Sequence, residues 1–532
     1  MIVGMSSPCK LARRFFFEAG AEEEDMGVEQ EFEKKNNEFV YHDQKIVTTF
    51  LHSLGMDVPP PPAVSMNKRP AEDEEYPLET KRRKSSSLLL YAIFMPTLLK
   101  GPMRFLYHLL DDKSLIFFMR TESRLYTRVY PTVTLQWNSY HIKALLNNIP
   151  PRCKYLNGHS CKDPNKYKKF AEPLAMNTSV THLNLGDNNI GPVCMVYHSA
   201  ALKVNTSITH LRLEGNRLGE VGASVLSEAL KVNTSIATLN ISRNDIMGGG
   251  AYPIAEALQV NHSITFLGIR WNQLHDRGAF AIARALQLNS TLAHIDLQDN
   301  LMGDCGVAAI ANALKENRGV SRISFRSNVI GDKSAKAIGE LLQLNTSLRF
   351  LDISQTEIGD RAAAVIAQGL ALNTVLTTLH FNENEIRSAG ATAMANAIAC
   401  HSSLSTLTLY GNIFTSVGAS ALAGALKFNA SLNCLKLGDT DLGDAGILAL
   451  AEALTLNKTL VNLDLHSTLM GNAGASALMT AIKGHVSLVH LDLSCNEDIT
   501  EAGTLCIQKA RHDNPSLVIV RMDEMTPEDL AI

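Results

Sequence analysis

Cys153, His159 and Cys161 are the residues of this chain whose types and spacing come nearest to a metal site. Thiolate and imidazole bind zinc tetrahedrally, and a structural site needs four donors at short spacing. No fourth partner stands at such a spacing, so the three read as loop residues, and neither metal nor cofactor is expected. The motifs HExxH, GxxxxGK[ST], GxSxG and paired CxxC are absent, and Gly248-Gly249-Gly250 lacks the spacing of a dinucleotide-binding loop. No catalytic residue is assigned, and the chain is expected not to be an enzyme. What is left is recognition chemistry, carried by Arg212, Arg243, Phe266, Arg270, Trp271, Arg322, Arg326 and Phe350. Aromatic rings and guanidinium groups bury large areas and make directed bonds at low entropic cost, which is the composition of a protein-binding hot spot.

These residues recur in step because the chain does. Leu183-Asn184-Leu185 returns as Leu211-Arg212-Leu213, Leu239-Asn240-Ile241, Leu267-Gly268-Ile269 and Ile295-Asp296-Leu297, then at Ile323, Leu351, Leu379, Leu407, Leu435, Leu463 and Leu491. The step is 28 residues throughout, and after one inserted residue near Glu497 a poorer copy appears around Val520. A fixed period of this length means stacked supersecondary units. In each unit the alternating apolar pair reads as a short strand. Five residues after the first Leu comes Asn188, Asn216, Asn244, Asn272, Asn300, Asn328, Asn384, Asn412 or Asn496, with Thr356, Thr440 and Thr468 as substitutes. A buried amide there can bond backbone groups of neighbouring coils that the turn would otherwise leave unpaired. A glycine follows in most units, then an Ala- and Leu-rich stretch of helical spacing such as Ala223 to Leu230.

This strand-turn-helix-turn unit resembles the leucine-rich repeat, in the long form found in ribonuclease inhibitor and NOD-like receptors, over residues 171–522. The resemblance implies an α/β horseshoe of 28-residue βα repeats with a partner protein on its concave sheet. If Leu183 and Leu185 point inward, positions 182, 184 and 186 of each copy point outward, and extending that alternation puts the eight recognition residues on the concave face. The arginine rows suit an acidic partner segment. Later copies carry Tyr410, Lys436, Asp439, Asp464 and Asp492. Cys161-Lys162-Asp163 is similar to a motif of bacterial ubiquitin ligases with such repeats, but no segment outside the repeats is long enough for their catalytic domain.

The net charge of −4 argues against general nucleic-acid binding. Nine cysteines at unrelated spacings read as reduced thiols of a cytosolic or nuclear protein, with Cys194, Cys305, Cys400 and Cys506 as core packing in helical segments. Lys10, Arg13 and Arg14 interrupt Met1 to Phe17, so no signal peptide is expected. The longest apolar stretch, Leu88 to Leu99, is too short to span a bilayer, and no membrane partner is expected. Asn177-Thr-Ser and Asn205-Thr-Ser, repeated in phase, read as a helix-to-strand turn in preference to glycosylation sites.

Residues 1–87 are expected to be a mostly disordered tail, with an acidic stretch from Glu22 and a proline run from Pro59 to Pro62. Within it, Lys68-Arg69 and Lys81-Arg82-Arg83-Lys84 resemble a bipartite nuclear import signal (68–84), each cluster fitting a separate acidic groove of an import receptor. Residues 88–140 read as a small helical domain whose order resembles an F-box, the module that docks on the cullin adaptor of ubiquitin ligases. That resemblance implies adaptor-facing and core positions for Pro96, Leu98, Leu99, Phe105, Leu106, Leu109, Leu110 and Leu115. Leu98 stands where an acidic residue is usual, and Gly101-Pro102 interrupts the first helix, so a helical cap over the end of the solenoid is the alternative. Residues 141–170 read as a linker and 523–532 as an acidic tail. The whole suggests a nuclear and cytoplasmic substrate receptor of a cullin-based ligase, or a scaffold or inhibitor without a ligase. Such eukaryote-style modules also fit an effector that an intracellular bacterium delivers to the host nucleus.

Overall fold

The computed structural model describes residues 132–136, 155–159 and 164–513 apart from 484 and 486, together with 517 and 519–521. The tail, the import clusters Lys68-Arg69 and Lys81 to Lys84, the F-box-like positions Pro96 to Leu115 and the tail 523–532 lie outside these residues.

Fifteen parallel strands form one sheet in chain order, each paired only with its sequence neighbours. After β1 (Thr132–Gln136) and β2 (Tyr155–His159), β3 (His182–Asn184) begins a series that returns every 28 residues to β14 (His490–Asp492), and β15 (Ile519–Arg521) ends it. Leu183 pairs with Leu211, Leu211 with Leu239, and so on to Leu463 with Leu491. Val520 pairs with Leu491, so the poorer copy after the insertion is a true strand of the series. Helices follow the strands from α1 (Pro164–Met176) to α13 (Glu501–Asp513).

The sheet begins two strands earlier than the sequence repeat. Thr132–Gln136 falls in what reads as the helical domain, and Tyr155–His159 in what reads as the linker. Leu156 pairs with Leu183, but the interval is 27 residues, and Gly158 stands where Leu185 would be matched. With the period slipped and the second inward leucine missing, no alternation marks the segment.

Each strand from β3 to β14 buries its central side chain, and a second inward residue follows two places on: Leu183, Leu185, Leu211 and Leu213 are almost wholly covered. The helix returns Ala223, Leu226, Ala229 and Leu230 to the same core, at the spacing of one helical face. Small residues let successive helices approach closely. A β-carbon on Gly278 would stand 2.8 Å from Leu274 Cβ and 3.2 Å from Ala251 Cβ. Of the helical-segment cysteines, only Cys194 is buried; Cys305 and Cys400 are exposed.

Three polar ladders tie the units together. In the first, Asn272 Nδ2 donates to the carbonyls of Ile241 (3.0 Å), Ile269 (2.9 Å) and Arg270 (3.1 Å). Its Oδ1 accepts the N–H groups of Asn244 (3.0 Å) and Ile246 (3.3 Å) one unit back. Thr356 and Thr468 bond their own strand carbonyls at Ile353 and Leu465 and the Asn384 and Asn496 oxygens of the next unit, but a hydroxyl does not replace the amide's bonds to the unit before. The second ladder is the N-x-S/T asparagine itself. Asn261 Nδ2 donates to Leu230 and Asn233 carbonyls, and its Oδ1 accepts from Ser263 and Ile264. The amide that a glycan would need is buried and engaged, which supports the turn reading. In the third ladder a carboxylate caps the helix of the next unit: Asp304 accepts the N–H groups of Gly331, Lys333 and Ser334 and the Ser334 hydroxyl. Asp276, Asp360 and Asp444 do the same along the array. Orphan N–H groups at helix starts are thus satisfied from the preceding unit.

Candidate functional site

The alternation that buries Leu183 and Leu185 turns three positions per unit outward: the residue before the first Leu, the one after it and the third after it. Arg212, Phe266, Arg270, Arg322, Arg326 and Phe350 occupy such positions. Arg243 and Trp271 do not. They stand one residue further on, where the strand has ended and the backbone is left-handed, with φ of 55° and 58°. Both belong to the rim that leads from strand to helix. Alternation holds only while the chain is extended, and these strands are three residues long.

Arg322, Phe350 and Phe266 come together. The Arg322 guanidinium lies 4.1 Å from the Phe350 ring centre, a cation–π arrangement. His380 packs edge-on against Phe350 at 5.0 Å, and His294 against Phe266 at 6.3 Å. Phe266, His294, Arg322 and Phe350, with Asp296, Gln298, Ser324 and Asp352, line a groove of about 260 Å³. Burial, with Arg322 beside it, lowers the pKa of His294. Burial also lowers that of His380, although Asp352 pulls the other way. Burial raises the Asp296 carboxyl above its ordinary range. The histidines were not singled out from sequence; their signal was a ring at an outward position beside an aromatic one register away.

The arginines are not an open basic row. Arg212 Nε donates to Glu214 at 2.8 Å, Arg243 to Asp187 at 3.0 Å two units away, and Arg326 to Glu383 at 3.1 Å two units on. Glu383 also accepts from Gln355 (2.7 Å) and the Tyr410 hydroxyl (3.4 Å). Burial works against the Arg326 charge, but Tyr410 and Glu383 outweigh it and hold its pKa above the usual value. Further along, Cys434, Lys436, Asn462, Asp464, His490 and Asp492 line a second groove of about 270 Å³. Beside it, His466 Nδ1 and Asp464 stand 2.6 Å apart, and this bond raises the His466 pKa. Burial would raise the Asp464 carboxyl, but His466 more than offsets it and the pKa falls.

Residues 177–193, 204–227, 232–255, 260–283, 344–367, 372–395 and 428–451 match the family model described as Leucine Rich repeat. These are leucine-rich repeats. Their strands and helices, stacked in an open sheet, form the leucine-rich-repeat solenoid that the period implies, with the grooves on its sheet face. No curated protein matches the chain in sequence. Among solved structures, an internalin from Listeria monocytogenes is similar at 19% identity and a TM-score of 0.40, covering 67% of this chain and 89% of that one. A chain in the Rad7 and Elc1 complex of yeast is similar at 15% identity and a TM-score of 0.38, covering 84% and 92%. Likeness at this level says nothing of what the chain binds.

Proposed function

We propose that the chain is a non-enzymatic recognition protein whose repeat sheet receives a partner protein. The observation that carries this is the groove between Phe266 and Phe350, where aromatic rings, Arg322 and His294 are held together on the outer face of a sheet tied by amide ladders, with His380 packed against Phe350. Pre-ordered side chains lose little freedom when a partner docks, which favours affinity. Substrate reception for a cullin-based ligase is the finer form of this reading. It rests on the F-box resemblance of Pro96 to Leu115 and gives the recruited enzyme the chemistry and this chain the task of proximity.

A pull-down from nuclear extract tests both. The wild type is compared with Pro96→Ala/Leu98→Ala/Leu99→Ala and with Phe266→Ala/Phe350→Ala, probed for the cullin adaptor and by mass spectrometry. Adaptor lost only from the first variant, with other proteins lost only from the second, is the expected pattern. If no retained protein depends on Phe266 and Phe350, the sheet is not the recognition surface; if wild type retains no adaptor, the ligase form fails and a scaffold remains.

A further inference from the structure

The charge of the sheet face changes along the array. From β3 to β8 (Arg322–Ser324) arginines and carboxylates are nearly balanced, and Asp187 and Glu214 are paired with Arg243 and Arg212. From β10 (Thr378–His380) to β14 the balance is lost. Glu383 is taken up by Arg326. Beyond it, Glu385, Asp439, Asp441, Asp464, Asp492 and Glu497 stand on the strands and on the turns that leave them, against Lys436, Arg387 and His466. Of the six, only Asp464 has an ion-pair partner among the described residues, His466. Asp492 accepts the Ser494 N–H and hydroxyl, neutral donors that leave its charge in place. Asp464 and Asp492 are also register partners on neighbouring strands, about 5 Å apart, where like charges repel.

Two of the chain's own histidines register the change. His294, on the balanced part, has its pKa lowered by burial and by Arg322. His466 is also partly buried, yet the bond to Asp464 raises its pKa, and Asp492 and Asp439 add to the effect. A cation is favoured at this end of the face in spite of desolvation. Acceptors without donors lie on the same part. Asn382 and Thr408 are each 4% exposed, and Asn382 Oδ1 and Thr408 Oγ1 have no hydrogen-bond partner. Both stand at outward positions, three places after Leu379 and one after Leu407, and Thr408 pairs in register with Lys436 of the second groove. Asn462 Oδ1, in that groove, has no partner either. An amide oxygen can only accept, so what this surface lacks is donors. Arginine and lysine side chains carry donors, no acceptor and a positive charge.

We propose that the sheet face from β10 to β14 is a second docking surface, for a basic segment of a partner protein whose arginine or lysine side chains enter the groove lined by Lys436, Asp464 and Asp492. The proposal rests on the reading of the chain as a recognition protein but uses none of the residues of the Phe266 and Phe350 groove. Its partner is opposite in charge to the acidic segment that the arginine rows suggest. One guanidinium can bridge Asp464 and Asp492 at their spacing, which relieves the repulsion between them. Nucleic acid, a polyanion, is repelled by the same carboxylates.

The probe is a displayed library of random dodecapeptides selected on the full chain. Enriched peptides are then measured by fluorescence polarisation against wild type, Asp464→Asn/Asp492→Asn, Asp439→Asn/Asp441→Asn, Glu228→Gln/Glu256→Gln and Phe266→Ala/Phe350→Ala. Enriched sequences should be rich in Arg and Lys. They should lose about tenfold or more in affinity on the first variant and about threefold on the second, and change by less than about twofold on the other two. Asp439 and Asp441 are exposed and make no side-chain bond among the described residues, so the second variant decides the question if the first melts lower than wild type. Glu228→Gln/Glu256→Gln makes the same change of net charge on the helix side, beside Lys231. Enrichment of acidic or apolar peptides, no enrichment, an equal loss on this control, or affinity kept by both sheet-face carboxylate variants would each overturn the proposal. Loss confined to Phe266→Ala/Phe350→Ala would overturn it and leave the other groove standing as the recognition surface. Basic peptides lost on the carboxylate variants support it even where no partner depends on Phe266 and Phe350.

Discussion

Replacing Asn272 by Ala tests the ladder at its centre. The substitution deletes three donated bonds and leaves two buried N–H groups, on Asn244 and Ile246, without the oxygen they reach at 3.0 and 3.3 Å. A buried donor stranded in this way costs about 1–3 kcal/mol, so two of them come to about 4 kcal/mol before the carbonyls are considered. Asn272→Thr should cost about half as much, because a threonine hydroxyl keeps one strand-carbonyl bond, as Thr356 does at 2.7 Å to Ile353. Because units of a solenoid are coupled only to their neighbours, the loss should be local. Hydrogen exchange resolved by residue is the assay: the Asn244 and Ile246 amides should exchange about a hundredfold faster or more in Asn272→Ala, the equivalent of about 3 kcal/mol. Amides four units away should be unchanged. If Asn244 and Ile246 stay as protected as in wild type, or if Thr and Ala variants behave alike, the amide is not what joins the units.

His401 stands in the second ladder, where most units have asparagine; its Nδ1 accepts from Leu404 N–H at 3.0 Å, while its buried Nε2 has no partner. His401→Asn should restore the inter-unit donor and raise stability by about 1–2 kcal/mol in urea unfolding. Burial lowers the pKa of His401 and takes that of His198 to about 4. The folded state then binds fewer protons than the unfolded one below pH 6.5, so stability should fall as pH drops from 6.5 towards 4, less steeply in His401→Asn. At Asp304, burial pushes the carboxyl up, but bonds from Ser334 and the Lys333 and Gly331 N–H groups outweigh it and hold the pKa down. Its contribution is present above the unfolded carboxylate value and lost as pH falls through the folded one; Asp304→Ala should cost about 1–2 kcal/mol at neutral pH, as loss of a helix cap does, read by thermal melting. A fluorescent protein fused to residues 60–90 should accumulate in nuclei and lose this when Lys81, Arg82, Arg83 and Lys84 become Ala; equal distribution of both would remove the import reading.

The solenoid was legible because Leu183 to Leu491 keep a 28-residue step that survives any choice of surface residues. The first ladder was legible too, since an asparagine five places after each leucine has one obvious use. Arg243 and Trp271 were misplaced because counting odd and even positions cannot show where a three-residue strand stops and left-handed backbone starts. The pairing of Arg243 with Asp187 and of Arg326 with Glu383 spans two units in opposite directions along the chain. No local pattern distinguishes an arginine so neutralised from one left open, such as Arg270. His294 and His380 acquire their character from burial beside Phe266 and Phe350, and burial of an outward position is invisible until the sheet is assembled.

Thr440 and Thr468 bring the two hydroxyl rungs of the first ladder into adjacent units. Over most of the array an amide rivets each coil to the one before it and Thr356 is a single gap; here two rivets in a row are missing, so the sheet has a seam with fewer cross-unit bonds. The seam runs beneath the second groove, whose walls Lys436, Asp464 and Asp492 stand on three successive strands. With two adjacent rungs reduced to hydroxyls, that groove's walls are tied by fewer cross-unit bonds than those of the Phe266 and Phe350 groove, where only Thr356 breaks the row of amides.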